Sequence, residues 1–183
     1  MLSFEGQEGS MGTLPTVYTI GHSNHACDAF LGLLKTHEID TLVDVRSRPY
    51  SRWTHFNQNS LSGYLDYAGI KYLWAGRTFG GHGGPSVAAL MFVEQMQALI
   101  ARAEHGQRVT LMCSEGKPVQ CHRAMKLTAW LHRHAADRVR TAHILPDCSL
   151  ADAVALEADQ KPKWLWHEFG GEFGKPKSDL VVK

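Results

Sequence analysis

The chain has 183 residues, 44% apolar and 20% charged, the composition of an ordinary globular protein with about one domain's worth of core. Nineteen Lys and Arg against eighteen Asp and Glu leave a net charge of +1, which excludes a protein working through gross charge alone. Four cysteines (Cys27, Cys113, Cys121 and Cys148) are too sparse for a disulfide framework. The start of the chain lacks the basic and apolar regions of a secretory signal, and no stretch approaches the ~20 apolar residues of a membrane span. These features predict a cytoplasmic protein with reduced thiols and no membrane partner.

Residues 1–15 carry Gly and Ser without a period and predict a flexible leader. Val17–Ile20 is a short β-branched run ending in Gly21-His22-Ser23. Cys27, Phe30, Leu31 and Leu34 come next at helical spacing, and Thr41–Val45 is the second strand. Ser60 is expected to cap a second helix, Leu61–Ala68, that Gly69 stops. Lys71–Trp74 reads as a third strand, followed by the Gly-rich turn Gly80-Gly81-His82-Gly83-Gly84-Pro85. Ala89, Phe92, Val93, Met96, Leu99, Ile100 and Ala103 mark one face of a long helix ending near Gly106. Val109–Cys113 is a fourth strand, and Ala124, Leu127 and Leu131 stripe the helix after it. Arg140–Leu145 is a fifth strand, closed by Pro146. Strands and helices alternate with short connections, so the expected fold is α/β, in three layers, with a mostly parallel sheet of about five strands and helices on both faces. The expected organisation is one domain over residues 16–150, with an aromatic-bearing arm, 151–183, packed on or near it.

In such sheets ligands bind outside the carboxyl ends of the strands, so the residues just past each strand carry the functional signal. After the first strand come Gly21-His22-Ser23-Asn24, and after the second Asp44-Val45-Arg46-Ser47-Arg48-Pro49. After the third come Arg77 and Gly80-Gly81. The fourth ends in Cys113-Ser114-Glu115 and runs to Cys121-His122-Arg123 at a helix start. Four loops thus carry polar and reactive groups to one edge.

The segments Thr19–Ser23 (TIGHS), Asp44–Ser51 (DVRSRPYS), Phe79–Gly81 (FGG) and Met112–Arg123 (MCSEGKPVQCHR) resemble, in order, the bacterial and archaeal family called domain of unknown function 488. The resemblance spans roughly residues 17–134. It implies an α/β fold and a site built from Arg46, Cys113, Glu115, Cys121, His122 and Arg123, and it assigns no reaction.

Read as chemistry, Cys113 at a strand end faces a helix N-terminus and an arginine, both of which favour a thiolate. Arg123 in the first helical turn suits a bidentate grip on an oxyanion. Nine residues separate Cys113 from Arg123, and Glu115 sets a negative charge between them, which argues against a phosphatase-like loop. Cys121 invites a disulfide with Cys113, and the pair with His122 or His22 invites a metal, although C-x7-C-H is not a usual zinc spacing. A buried structural thiol is the plain reading of Cys113 taken alone. His22 reads as a base, an anion donor or a loop histidine; Ser23 reads as a helix cap. Asp44 and Arg46 suit either a ligand or a buried ion pair. The Gly80-Gly81 turn offers a close backbone approach to a phosphate or a lid.

The leading expectation is an enzyme on a small anionic or nucleotide-like substrate. Cys113, Glu115, Cys121 and His122 would do the chemistry, and His22, Ser23, Asp44, Arg46, Arg48, Arg77, Gly80, Gly81 and Arg123 would bind. No cofactor is named and no metal is assigned. One competing reading is a non-catalytic nucleic-acid or repair-associated module, in which Arg46, Arg48 and Arg52 contact phosphates and Tyr50 and Trp53 stack on bases. The +1 charge predicts that nucleic acid is at most a weak partner. A redox or metal sensor built on Cys113 and Cys121 is the third.

Overall fold

The computed structural model describes residues 13–80, 87–118, 121 and 123–153. The strands are β1 (Thr16–Gly21), β2 (Thr41–Asp44), β3 (Lys71–Trp74), β4 (Val109–Cys113), β5 (Arg140–Ile144) and β6 (Leu150–Asp152). They form one sheet in the order β3-β2-β4-β1-β5-β6. All neighbours pair in parallel except β5 and β6, which are antiparallel. The fold is α/β as expected, with a sixth strand that sequence reading did not supply. Three residues with an exposed-intermediate-exposed pattern carry too little period to announce a strand. β6 also crosses residue 150, where the domain was expected to end.

The central strands β2 and β4 are buried at every position, on both faces, as strands of a parallel sheet covered by helices are. The edges β3 and β6 are short and each exposes one charged end residue, Lys71 and Asp152, beside an apolar one, Trp74 and Leu150; short, charged edges resist pairing with another chain. Helices α1 (Cys27–Thr36) and α2 (Gln58–Tyr67) cover one face. There Tyr18, Ile20, Leu42, Met112 and Ile144 of the sheet meet Phe30, Leu34, Leu61, Leu65 and Phe56. The other face holds Val17, Val43, Leu111 and Cys113 against α3 (Gly76–Phe79), α4 (Val87–Glu104) and α5 (Ala129–Ala135). Fully burying side chains such as Phe30, Leu34 or Leu111 contributes about 1.5–3 kcal/mol each.

Three local expectations are corrected. Helix α2 starts at Gln58 with Asn57 as its N-cap, so Ser60 lies inside it rather than capping it. Helix α1 is capped by Ala26 without a side-chain bond, and Ser23 stands outside it with its hydroxyl 3.3 Å from Asn24 Oδ1. The helix expected from Ala124 onward divides into a π-helical turn, Arg123–Thr128, and α5. A π turn shifts the stripe by one residue per turn, and three apolar positions cannot report it. Gly69, at φ +74°, does end α2 as its position suggested. Residues 1–12, most of the Gly-rich turn and residues 154–183 of the expected arm lie outside the described residues.

Candidate functional site

Strand order decides where the site falls. The chain leaves β1 toward α1 on one face and leaves β4 toward the π turn and α5 on the other. β1 and β4 are neighbours, so the crevice between their carboxyl ends is a topological switch point. The β1 loop is stitched to the β4 loop by His22 N–H donating to the Cys113 carbonyl and Ser23 N–H to the Ser114 carbonyl, both at 2.9 Å. Gly21 permits this approach, because a Cβ there would collide with the Glu115 carbonyl. Ser23 adopts φ +46°, a left-handed turn that a non-glycine residue holds only when its surroundings enforce it.

Across this edge runs a saturated polar chain. The Arg46 guanidinium donates from Nε to Asp44 Oδ1 at 2.9 Å and from Nη2 to Oδ2 at 2.6 Å. Its Nη1 reaches over the end of β4 to His22 Nε2 at 3.3 Å. Tyr72 donates its hydroxyl to Asp44 Oδ2 at 2.8 Å. His22 donates from Nδ1 to the Ser23 carbonyl at 2.9 Å, which leaves Nε2 as the lone pair facing Arg46. Asp44 is fully buried and Arg46 is 5% exposed, so each charge is neutralised by the other. Burial holds His22 well below its ordinary value, at about 4. The bond to Ser23 opposes that shift and the Arg46 charge reinforces it, so the imidazole is neutral at pH 7. Burial, with the Asp44 carboxylate beside it, pushes the Tyr72 hydroxyl up.

Beside this chain a cleft of about 460 Å³ opens, within the usual range for small-molecule sites. It is lined by His22, Ser23 and Asn24 after β1, by Tyr50, Ser51, Arg52 and Trp53 after β2, and by Ser114, Glu115 and Gly116 after β4. Three of the four loops singled out by sequence therefore converge. β3 and the loop after it act from outside the cleft: Trp74 Nε1, at the end of β3, donates to the Arg46 carbonyl at 2.9 Å, and Ser47 donates its hydroxyl to the Gly80 carbonyl. A Cβ at Gly80 would strike Ser47, so this glycine serves close packing against the β2 loop.

Of the expected binding residues, His22 and Ser23 line the cleft, while Asp44 and Arg46 are spent on each other beside it. Arg48 and Arg77 are exposed outside the lining, Arg77 lying 5.8 Å from the centre of the Trp74 ring. Of the expected reactive residues, Glu115 is exposed in the cleft. Cys113 and Cys121 are buried together in the core beneath α4 and α5, 4% and 2% exposed. Strand alternation is the reason: His22, Asp44 and Met112 face α1 and α2, and Cys113, one residue past Met112, faces the opposite side. Gly81, His122 and the Arg123 side chain lie outside the described residues. Sequence reading kept Tyr50, Arg52 and Trp53 for nucleic acid only, and their basic-aromatic run was the available signal. It missed Tyr72, which alternation on a four-residue edge strand does not single out. Among the described residues, no group of three His, Cys, Asp or Glu is placed to hold a metal ion. Among them, too, no helix is long and apolar enough to cross a membrane.

β2 and the loop after it, which supply the buried Asp44–Arg46 pair and the aromatic wall of the cleft, also carry the family signal. Residues 26–84 match the family described as Domain of unknown function DUF488. The DUF488 match is narrower than the resemblance read from motifs. It contains the Asp44–Ser51 and Phe79–Gly81 segments, and it leaves out Thr19–Ser23 and Met112–Arg123. No curated protein and no solved structure matches the chain.

Proposed function

We propose that the protein is an enzyme acting on a small anionic molecule held in the cleft at the carboxyl edge of the sheet. One observation carries this reading. Three loops from three separate strands bring a cation (Arg52), a carboxylate (Glu115) and the hydroxyls of Ser23, Ser51 and Ser114 into one concavity at the switch point. In this reading Arg52 binds the anion, because Arg46 already has its partners, and Glu115 moves the proton. Cys113 and Cys121, on the far side of the sheet edge, support the loop and do not meet the ligand bound here.

The test is a calorimetric titration of small phosphate esters and carboxylates against the full chain, with product formation followed by NMR. Arg52→Ala is expected to lower anion affinity at least about tenfold, the loss of a charge-assisted bond. Glu115→Gln is expected to keep binding and lose turnover. Anion binding that survives Arg52→Ala unchanged would remove the cleft from this role.

A further inference from the structure

The loop that forms one wall of the cleft shows two large aromatic side chains to solvent, Tyr50 at 77% and Trp53 at 39% exposure. An exposed aromatic ring on a loose loop has little to say; this loop is tied down. Ser51 N–H donates to Asn57 Oδ1 at 2.8 Å, and Gln58 N–H donates to the Pro49 carbonyl at 3.0 Å. Tyr50 N–H turns back to the Arg48 carbonyl at 2.8 Å. Phe56 is fully buried, stacked on His22 at 4.2 Å between ring centres and edge-on to Phe30 at 5.1 Å. His55 donates from Nε2 to the His25 carbonyl at 2.9 Å, joining this loop to the one after β1. Core residues thus hold an outward-facing aromatic surface in place, so a ligand stacking there does not have to order it.

The charges in the cleft narrow the ligand further. The Arg52 guanidinium lies 5.2 Å from the centre of the Trp53 ring, so the cation and an aromatic face are presented together. Glu115 lines the same cleft. A compact anion such as inorganic phosphate gains from Arg52 but has nothing to stack, and it brings its charge against the Glu115 carboxylate. A molecule with a phosphate at one end, hydroxyls in the middle and a flat ring with N–H donors at the other satisfies all of these groups. We infer that the cleft recognises a nucleotide, free or at the end of a strand, with its ring on Tyr50 and Trp53, its phosphate at Arg52 and its hydroxyl or amino donors toward Glu115. This deepens the proposed function and rests on the same cleft.

The experiment titrates the full-length protein, and its Tyr50→Ala, Trp53→Ala and Arg52→Ala variants, with nucleoside monophosphates, ribose 5-phosphate and inorganic phosphate at about 150 mM salt. All three positions are on the surface, and circular dichroism verifies the fold of each variant. The nucleotide is expected to bind at least about tenfold tighter than ribose 5-phosphate. Each aromatic truncation should cost roughly 5- to 150-fold for the nucleotide and nothing for ribose 5-phosphate. Arg52→Ala should weaken both. Short single strands with and without a terminal phosphate distinguish a free nucleotide from a strand end. Equal affinity for nucleotide and ribose 5-phosphate, or no effect of either aromatic truncation, overturns the inference and leaves the anion-site reading standing. No binding of any of these anions overturns both.

Discussion

The two faces of the sheet meet the same carboxyl edge and treat their polar groups in opposite ways. On the α1/α2 side, the buried Asp44, Arg46 and His22 and the half-buried Tyr72 saturate one another, with a wet cleft beside them. On the α4/α5 side, the groups at the end of β4 are thiols, Cys113 and Cys121, buried among Val43, Leu111 and Leu127. The difference shows that a residue's chemical reputation does not say whether it is part of the site or of the scaffold. Arg46, an anion-binding group by type, is committed to Asp44. Arg52, six positions on, lines the cleft.

Breaking the polar chain should have the largest consequence. Arg46→Ala leaves the Asp44 carboxylate buried without its counter-charge and is expected to destabilise the fold by about 3–5 kcal/mol in urea unfolding. A loss below about 1 kcal/mol would mean that Asp44 reaches water, and the contrast between the faces would collapse.

The neutral state of His22 ties this chain to pH. Its folded value of about 4 lies below the ordinary 6.5, so between these values the unfolded chain binds the extra proton. The contribution of His22 is complete above pH 6.5, falls as pH drops toward 4, and loses nothing more below that. It amounts to about 3 kcal/mol at most. Unfolding midpoints of wild type and His22→Gln, compared at pH 7 and pH 4.5, should converge at the lower pH. Parallel losses in both would place the acid sensitivity elsewhere.

A finer probe of the same chain is Tyr72→Phe. It removes one bond to Asp44 and keeps those from Arg46, so a cost of about 1.5 kcal/mol is expected, near the low end for a bond to a charged group. A cost matching that of Arg46→Ala would make Tyr72, rather than the guanidinium, the chief partner.

On the thiol face the expected effect is only an order of labelling. In the native protein iodoacetamide should reach the half-buried Cys27 and Cys148 before Cys113 and Cys121. Burial pushes the Cys27 thiol up, so its labelling is slow as well. Fast labelling of Cys113 under native conditions would return the thiol to the functional edge.

The range of each interaction explains how much of this was legible. Five strands, the helices between them and the edge that collects the loops were readable, because periodicity and turn residues are local properties. Gly69 ending α2 is of the same kind. The short strand β6, the π turn at Arg123 and the Asn57 cap were not, since each depends on contacts or on too few residues to make a period. Sequence placed Cys113 and Glu115 in one loop, two positions apart. It did not show that Cys113 turns into the core while Glu115 lines the cleft.

By itself the sequence determined the α/β class, the alternation of strand and helix, and which loops reach the carboxyl edge. Those features come from hydrophobic period and chain direction, which every segment carries within itself. Only the tertiary structure decided which charges face the cleft and which are spent in the scaffold. The order β3-β2-β4-β1 lets the Arg46 side chain cross the end of β4 to His22 while Asp44 takes its charge. Whether a guanidinium is a ligand anchor or a structural ion depends on the group that stands opposite it. For Arg46 that group is Asp44, only two positions away, but the burial that makes the pair structural comes from chain distant in sequence, which brings His22 to Arg46 and Tyr72 to Asp44.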